Sequence, residues 1–260
     1  MENRCKLGGP LMAFSSRSIL VACARTAMVV AACCNLGAEP FPSSTINYVV
    51  ELFTSQGCAY CPRADQWLAA IARAPDVVAV SFPVDYWDYI GWRDTLASPA
   101  FTARQKAYAA AHGEANVYTP QVIVNGLAGA AGGDRAEIEQ AIKTAKGVDG
   151  ALTVPMRLSE TGGRFMVEVA GGSGGPAGVF ALRVARASTI QILRGENAGR
   201  SVTYTNVVRA IDKLGDWTGE TATFDMPRGA PDDEGFVVLM QKGTPERPGA
   251  ILGAAKTKGL

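Results

Sequence analysis

Two textures of hydrophobic patterning divide this chain. Between residues 48 and 147, short apolar runs alternate with stretches of helical period. Tyr48-Val-Val-Glu-Leu-Phe53 and Val77-Val-Ala-Val-Ser-Phe82 are near-continuous apolar runs, the pattern of strands buried on both faces. Between them, Ala64, Trp67, Leu68 and Ile71 recur at helical spacing, which predicts an amphipathic helix ended by Pro75. Ser98-Pro99 supplies an N-cap and a first-turn proline for a second helix that stops at Gly113. Val117–Val124 reads as a strand, and Asn125-Gly126 as a hairpin turn. Asp134 to Glu137 resembles a capping box opening a third helix, whose apolar face is Ile138, Ala141, Ile142 and Ala145.

From residue 151 the period changes to two. Leu152, Val154, Met156 and Leu158 alternate with polar or turn residues, as do Phe165, Val167 and Val169. Strand-like runs recur at 179–184, 221–226, 236–241 and 250–255, which predicts an antiparallel sandwich or small barrel. Pro155 assigns its strand to an edge. The glycine-rich stretch 171–178 lacks the Lys-Ser/Thr of a phosphate cradle and a following helix, so it is read as a hairpin loop.

The first forty residues carry a different message. Arg4, Lys6 and Arg17 precede apolar stretches that end near Gly37-Ala38. Export is expected, with 1–38 as a targeting segment and cleavage after Ala38. Val30-Ala31-Ala32-Cys33 also has the residue order of a lipoprotein box, with a lipid anchor at Cys33. Arg25 cuts the apolar run short of the ~20 residues of a membrane span, so no transmembrane span is expected. The formal net charge of +1 gives no electrostatic reason to expect nucleic acid as a partner. The 48% hydrophobic content is ample for a buried core.

The chemistry concentrates in Cys58-Ala59-Tyr60-Cys61-Pro62, directly behind the first strand. Two cysteines three apart at a strand-to-helix junction have the geometry of a dithiol/disulfide site. The helix N-terminus offers unpaired N–H groups and a positive dipole end, which favour thiolate. Cys58 would attack and Cys61 resolve. A half zinc site has the same spacing, but the other cysteines, Cys5, Cys23, Cys33 and Cys34, lie in the targeting region, and His112 is the one histidine. No metal site and no cofactor are expected. A purely structural disulfide remains an alternative.

The order strand, C-x-x-C helix, strand, helix, hairpin, helix is the thioredoxin-like order. The expected fold is therefore an α/β thioredoxin-like domain over 46–148, a central mixed sheet flanked by helices, followed by a β-rich sandwich-like domain over 151–260. Pro120 sharpens this: a proline opening a central strand is unusual, and thioredoxin-like proteins place a cis-proline there. Thr119-Pro120 occupies that position, with Thr119 expected to offer its backbone to a substrate.

Five separate motifs resemble a family of secreted bacterial proteins, the domain of unknown function numbered 1223. They are Val50–Cys58 with Cys61-Pro62, Val84–Trp92, Ser98–Gln105, Val117–Gln121, and Gly195–Gly199 with Asn206–Arg209. The resemblance spans 46–255 and implies a thioredoxin-like fold with an added β-rich part. Pro83 stands where the family has histidine, and Arg63 where it has a second proline. Arg63 would add a cation near the thiols.

Glu51, in the strand before the motif, is a candidate proton relay for the dithiol, or else a structural carboxylate. Asp85, Trp87, Asp88 and Trp92 form an aromatic-acidic insertion that either lines a substrate groove or packs as a loop with acids capping helices. Tyr60, Thr119, Asp85 and Trp87 are the candidate substrate-binding residues. The leading function is a cell-envelope thiol–disulfide oxidoreductase acting on protein thiols, disulfides or a redox partner protein. The alternative is a noncatalytic envelope binding protein, or one that holds a soft metal ion on both thiolates.

Overall fold

The computed structural model describes residues 46–227 and 231–260. The targeting segment and Cys33 lie outside these residues. In chain order the elements are β1 (Tyr48–Thr54), α1 (Cys61–Ile71), β2 (Val77–Pro83), α2 (Pro99–His112), β3 (Gln121–Val124), β4 (Ala128–Ala131) and α3 (Arg135–Ala145). Then follow β5 (Met156–Thr161), β6 (Arg164–Val169), β7 (Ala177–Gln191), β8 (Ser201–Trp217), β9 (Ala222–Asp225), β10 (Glu234–Thr244) and β11 (Arg247–Lys256).

The expected fold of a helix-flanked thioredoxin-like domain followed by a β sandwich is overturned. The molecule is mostly β, and one mixed sheet of eight strands, in the order β11-β10-β7-β8-β2-β1-β3-β4, takes strands from both textures of the sequence. Three α-helices stand among the described residues. The second sheet has only three strands, β5-β6-β9. It packs on strands of the large sheet through Val154, Met156, Val167 and Val169 against Val179, Val238 and Leu252. The error lies in β8. Its polar sequence, with Thr203, Thr205, Asn206, Asp212 and Lys213, breaks the alternation that marks a strand, yet it pairs with β7 along its whole length. It also lies parallel to β2, Ser81 opposite Val207, so β2 is no edge. The Asn206 side chain secures the junction by donating to the Ala79 carbonyl (2.9 Å).

Other local expectations held. Ser98 caps α2 and Asp134 caps α3. Asn125 and Gly126 both take positive φ in the β3–β4 turn. Pro155 precedes β5, an edge strand. The glycine stretch 171–178 does not close a hairpin, because it carries the chain from β6 in the small sheet to β7 in the large one.

The large sheet curls back on itself. Ile251 N–H donates to the Asn125 carbonyl (2.9 Å), and Lys256 Nζ donates to the Ala74 (3.0 Å) and Val77 (2.6 Å) carbonyls. A Cβ at Gly126 would stand 2.3 Å from the Gly249 carbonyl oxygen, so only glycine allows the approach. β1 is buried on both faces, and its period of two sorts its side chains. Val50 and Leu52 pack with Ala64 and Leu68 of α1 and Ile138 of α3. Val49 and Phe53 pack with Phe101 and Tyr108 of α2.

Candidate functional site at the C-terminal end of the first strand

β1 delivers the chain into the turn Ser55–Tyr60, and α1 begins at Cys61 with Pro62 in its first turn. Cys58 and Cys61 are free thiols. Both residues are 0% exposed. Their surroundings shift the two thiols in opposite directions. Cys58 is lowered to about 7, first by a hydrogen bond from Cys61, with smaller help from Thr119 and the Tyr60 and Cys61 backbone, against the cost of burial. Cys61 is raised well above the usual thiol range, mainly by burial and then by Cys58.

The Thr119–Pro120 peptide is cis, and the Cys58 thiol donates to the Thr119 carbonyl (3.7 Å). Trp87 Nε1–H donates to Thr119 Oγ1 (2.7 Å). That bond occupies a lone pair of the hydroxyl and leaves its hydrogen available to the sulfur. Thus Thr119, Trp87 and Pro120 converge on Cys58. Asp85 does not share that contact. Its carboxylate accepts from the Thr102 hydroxyl (2.6 Å), tying the insertion to α2. Asp88 likewise accepts from the Asp94 N–H (2.9 Å). The acids of the insertion fasten a packed loop. Tyr60 is 80% exposed beside the thiols, and Arg63 is exposed on α1.

Glu51 faces away from the thiols. Its parity on β1 is that of Val49 and Phe53, toward α2. There it takes Arg104 Nε (2.7 Å) and the Tyr108 hydroxyl. Thr54 has the opposite parity, toward α1.

The acid behind the thiols is Asp65, which the sequence reading passed over. It is buried on α1, next to Thr54, and burial pushes it up to about 8, with Thr54 holding it back in part and the Cys58 and Asp94 charges adding. Its Oδ2 has no hydrogen-bond partner among the described residues, and neither has the Thr54 hydroxyl. A cavity of about 440 Å³ lined by Pro62, Asp65, Gln66, Arg200 and Thr203 reaches this carboxyl. No sequence period could flag Asp65. It stands between apolar positions of an amphipathic helix and looks like part of the solvated face.

Two further segments hold the turn. Asp94 Oδ2 accepts from the Gln56 N–H (2.8 Å), and Gln56 Oε1 accepts from Trp92 Nε1 (2.8 Å). Asn197 Nδ2, on the β7–β8 connection, donates to the Gln56 and Cys58 carbonyls (2.9 Å each). Gly57 leaves room for this clamp, since a Cβ there would lie 2.9 Å from Trp87 Cβ. Asn197 sits inside the Gly195–Gly199 motif, so its position was legible and its role was not. Tyr204 of β8 is also buried here, its hydroxyl pushed up by burial and by the charges of Asp65, Asp94 and the two cysteines.

The model of a family described as proteins of unknown function, DUF1223, matches residues 49–241. The chain is a DUF1223 protein. A crystal structure of a protein from Agrobacterium tumefaciens is 34% identical to it, with a TM-score of 0.73 over 84% of this chain and 96% of that one. No curated protein matches this DUF1223 chain. Among the described residues, no helix is long and apolar enough to cross a membrane, and no group of three or more His, Cys, Asp or Glu could hold a metal ion.

Proposed function

We propose that this DUF1223 protein is an exported thiol–disulfide oxidoreductase in which Cys58 attacks and Cys61 resolves. The observation that carries the reading is a pair of free thiols of opposed acidity on one turn, backed by a buried carboxyl whose Oδ2 has no hydrogen-bond partner among the described residues. The Cys58 thiolate bonds to one sulfur of a substrate disulfide, and the other sulfur leaves as a thiol after taking a proton from water. Cys58 is then neutral, which removes one of the charges that keep Asp65 protonated, and Asp65 releases its proton to solvent. The Asp65 carboxylate takes the Cys61 proton, and the Cys61 thiolate attacks Cys58 Sγ. The second substrate sulfur leaves as a thiol after taking a proton from water, and the protein pair ends as a disulfide, having supplied two electrons. A redox partner protein with its own dithiol restores the pair. Run backwards, the same steps oxidise a substrate dithiol, with Asp65 returning the proton to Cys61.

The surroundings suit a polypeptide substrate. Tyr60, Tyr89, Tyr118 and Leu193 are exposed apolar side chains on the four segments that meet at Cys58, and Tyr89 is 81% exposed. Such a collar would hold apolar residues of an unfolded chain.

Insulin reduction and refolding of a reduced, denatured protein test the reading, run beside a Cu(I) titration. Turnover by the wild type and none by Cys58→Ser supports it. Silence in both assays, with stoichiometric Cu(I) binding, favours the metal-holding alternative. Export has its own test: the intact mass of envelope-purified protein should show a start near Glu39 or a diacylglyceryl group on Cys33, and retention of residues 1–30 defeats it.

A further inference from the structure

A second site lies on the other side of α2 from the thiols, and its chemistry is independent of theirs. A cavity of about 720 Å³ opens between α2, β8 and the β10–β11 turn. That volume is within the ~300–1,000 Å³ of small-molecule sites. Its walls are apolar. Ala103, Ala107 and Ala110 recur at helical spacing and present methyl groups only, so the helix face forms a trough, and Phe180 and Ile211 face it.

The floor is polar and built. Arg104 is buried but for 13% of its side chain, and it reaches this cavity. Its Nε donates to Glu51, and its Nη2 donates to the Tyr108 hydroxyl (2.9 Å) and to Gln241 Oε1 (3.0 Å). Gln241 Nε2 in turn donates to Tyr108 (2.8 Å) and the Gly249 carbonyl (2.9 Å), which locks the guanidinium plane. The Phe82 and Tyr108 rings hold it from the sides, 5.7 and 5.0 Å from its carbon. Nη1 is left with two donors and no partner among the described residues. At the rim, Lys106 and Lys242 make no ion pair among the described residues, while Lys213 is matched by Asp216 and Glu246 is the single acid of the lining.

An apolar trough with a fixed, unfilled pair of N–H donors at its floor and surplus cations at its mouth fits one ligand chemistry. We propose that this cavity binds a small aliphatic carboxylate, with the carboxylate on Arg104 Nη1 and the tail along the alanine face of α2. A planar, preoriented guanidinium accepts a carboxylate at small entropic cost.

Calorimetric titration of the full chain with octanoate and, separately, with 1-octanol tests this. Octanoate should bind saturably, and octanol about tenfold more weakly or worse, because it cannot make the charge-assisted bond. Ala103→Trp fills the trough from an exposed position and should weaken octanoate by at least about tenfold while leaving the urea midpoint in place. Lys242→Glu should weaken it several-fold, in a salt-dependent way. Cys58→Ser should bind like the wild type, which separates this site from the thiol reading. Equal affinity for acid and alcohol, unchanged binding by Ala103→Trp, or no saturable octanoate binding overturns the proposal. Tighter binding of acetyl-leucyl-leucine than of octanoate would reassign the cavity to peptide C-termini and overturn it as well.

Discussion

β1 feeds two buried polar centres from opposite faces, and they are built on opposite principles. On the α2 face, Glu51, Arg104, Tyr108 and Gln241 share a connected set of hydrogen bonds that leaves only Arg104 Nη1 open toward the cavity, and the buried carboxylate has its counterion. On the α1 face, Asp65 is just as deeply buried beside two free thiols, its Oδ2 has no hydrogen-bond partner among the described residues, and the neighbouring Thr54 offsets its burial only in part. A satisfied buried network holds shape. An unsatisfied one is costly and persists only where the surrounding structure sustains it, the usual signature of a site where protons move. The same strand thus carries a paired carboxylate at Glu51, and the carboxyl proposed to take the Cys61 proton stands on the helix.

Single substitutions test that contrast, the largest effect first. Cys58→Ser should bring disulfide turnover down to background with the urea midpoint little changed. Loss of turnover on Glu51→Asp equal to that on Cys58→Ser would instead join the two centres.

Asp65 should make the fold weaken with rising pH. Its acid goes from 3.8 unfolded to about 8 folded. Between those values the folded chain keeps a proton that the unfolded chain has released. Stability should therefore fall through this window by at most about 1.4 kcal/mol per pH unit, with buried Asp94, also raised, acting in the same direction. Asp65→Asn should match the wild type in urea unfolding below about pH 4 and exceed it increasingly toward pH 8. The same variant should resolve mixed disulfides more slowly. A variant less stable than the wild type at high pH would show that the carboxylate is a structural group.

Arg104→Met should cost about 3–5 kcal/mol in urea unfolding, because it strands the Glu51 charge in the core. A loss under about 1 kcal/mol would equate this pair with a surface ion pair.

Trp87→Phe keeps the ring and removes only the donor to Thr119. It should raise the pH at which iodoacetamide half-labels Cys58 from about 7 by less than about one unit, since a single hydrogen bond is worth ~0.5–1.5 kcal/mol. No movement at all would detach Trp87 from the thiol.

What was legible in the sequence was local. The cysteine pair, the cis position of Thr119–Pro120, the caps at Ser98 and Asp134 and the Asn125-Gly126 turn each announce themselves within a few residues. What was hidden depends on partners far away in the chain. Glu51 looked like the relay because it is close in sequence to Cys58, but strand parity turns it toward α2. Asp65 is buried by β8 and the β1–α1 turn together, which no helical period records. β8 has the polar composition of a loop, and it became a strand because β7 and β2 offered it ladders on both sides.

That strand also decides where the molecule can be cut. A chain ending at Gly150 would keep both cysteines, the cis-proline and all three α-helices among the described residues, and would look from its sequence like a convenient minimal enzyme. It would lose Asn197 and Tyr204 from the thiol turn and uncover β2, seven residues buried along their whole length, as a bare apolar edge. Such an edge invites pairing with another copy, so the shortened protein would be a seed for aggregates. The thiol turn is separable on paper at residue 150, but in solution it needs the strand that arrives fifty residues later.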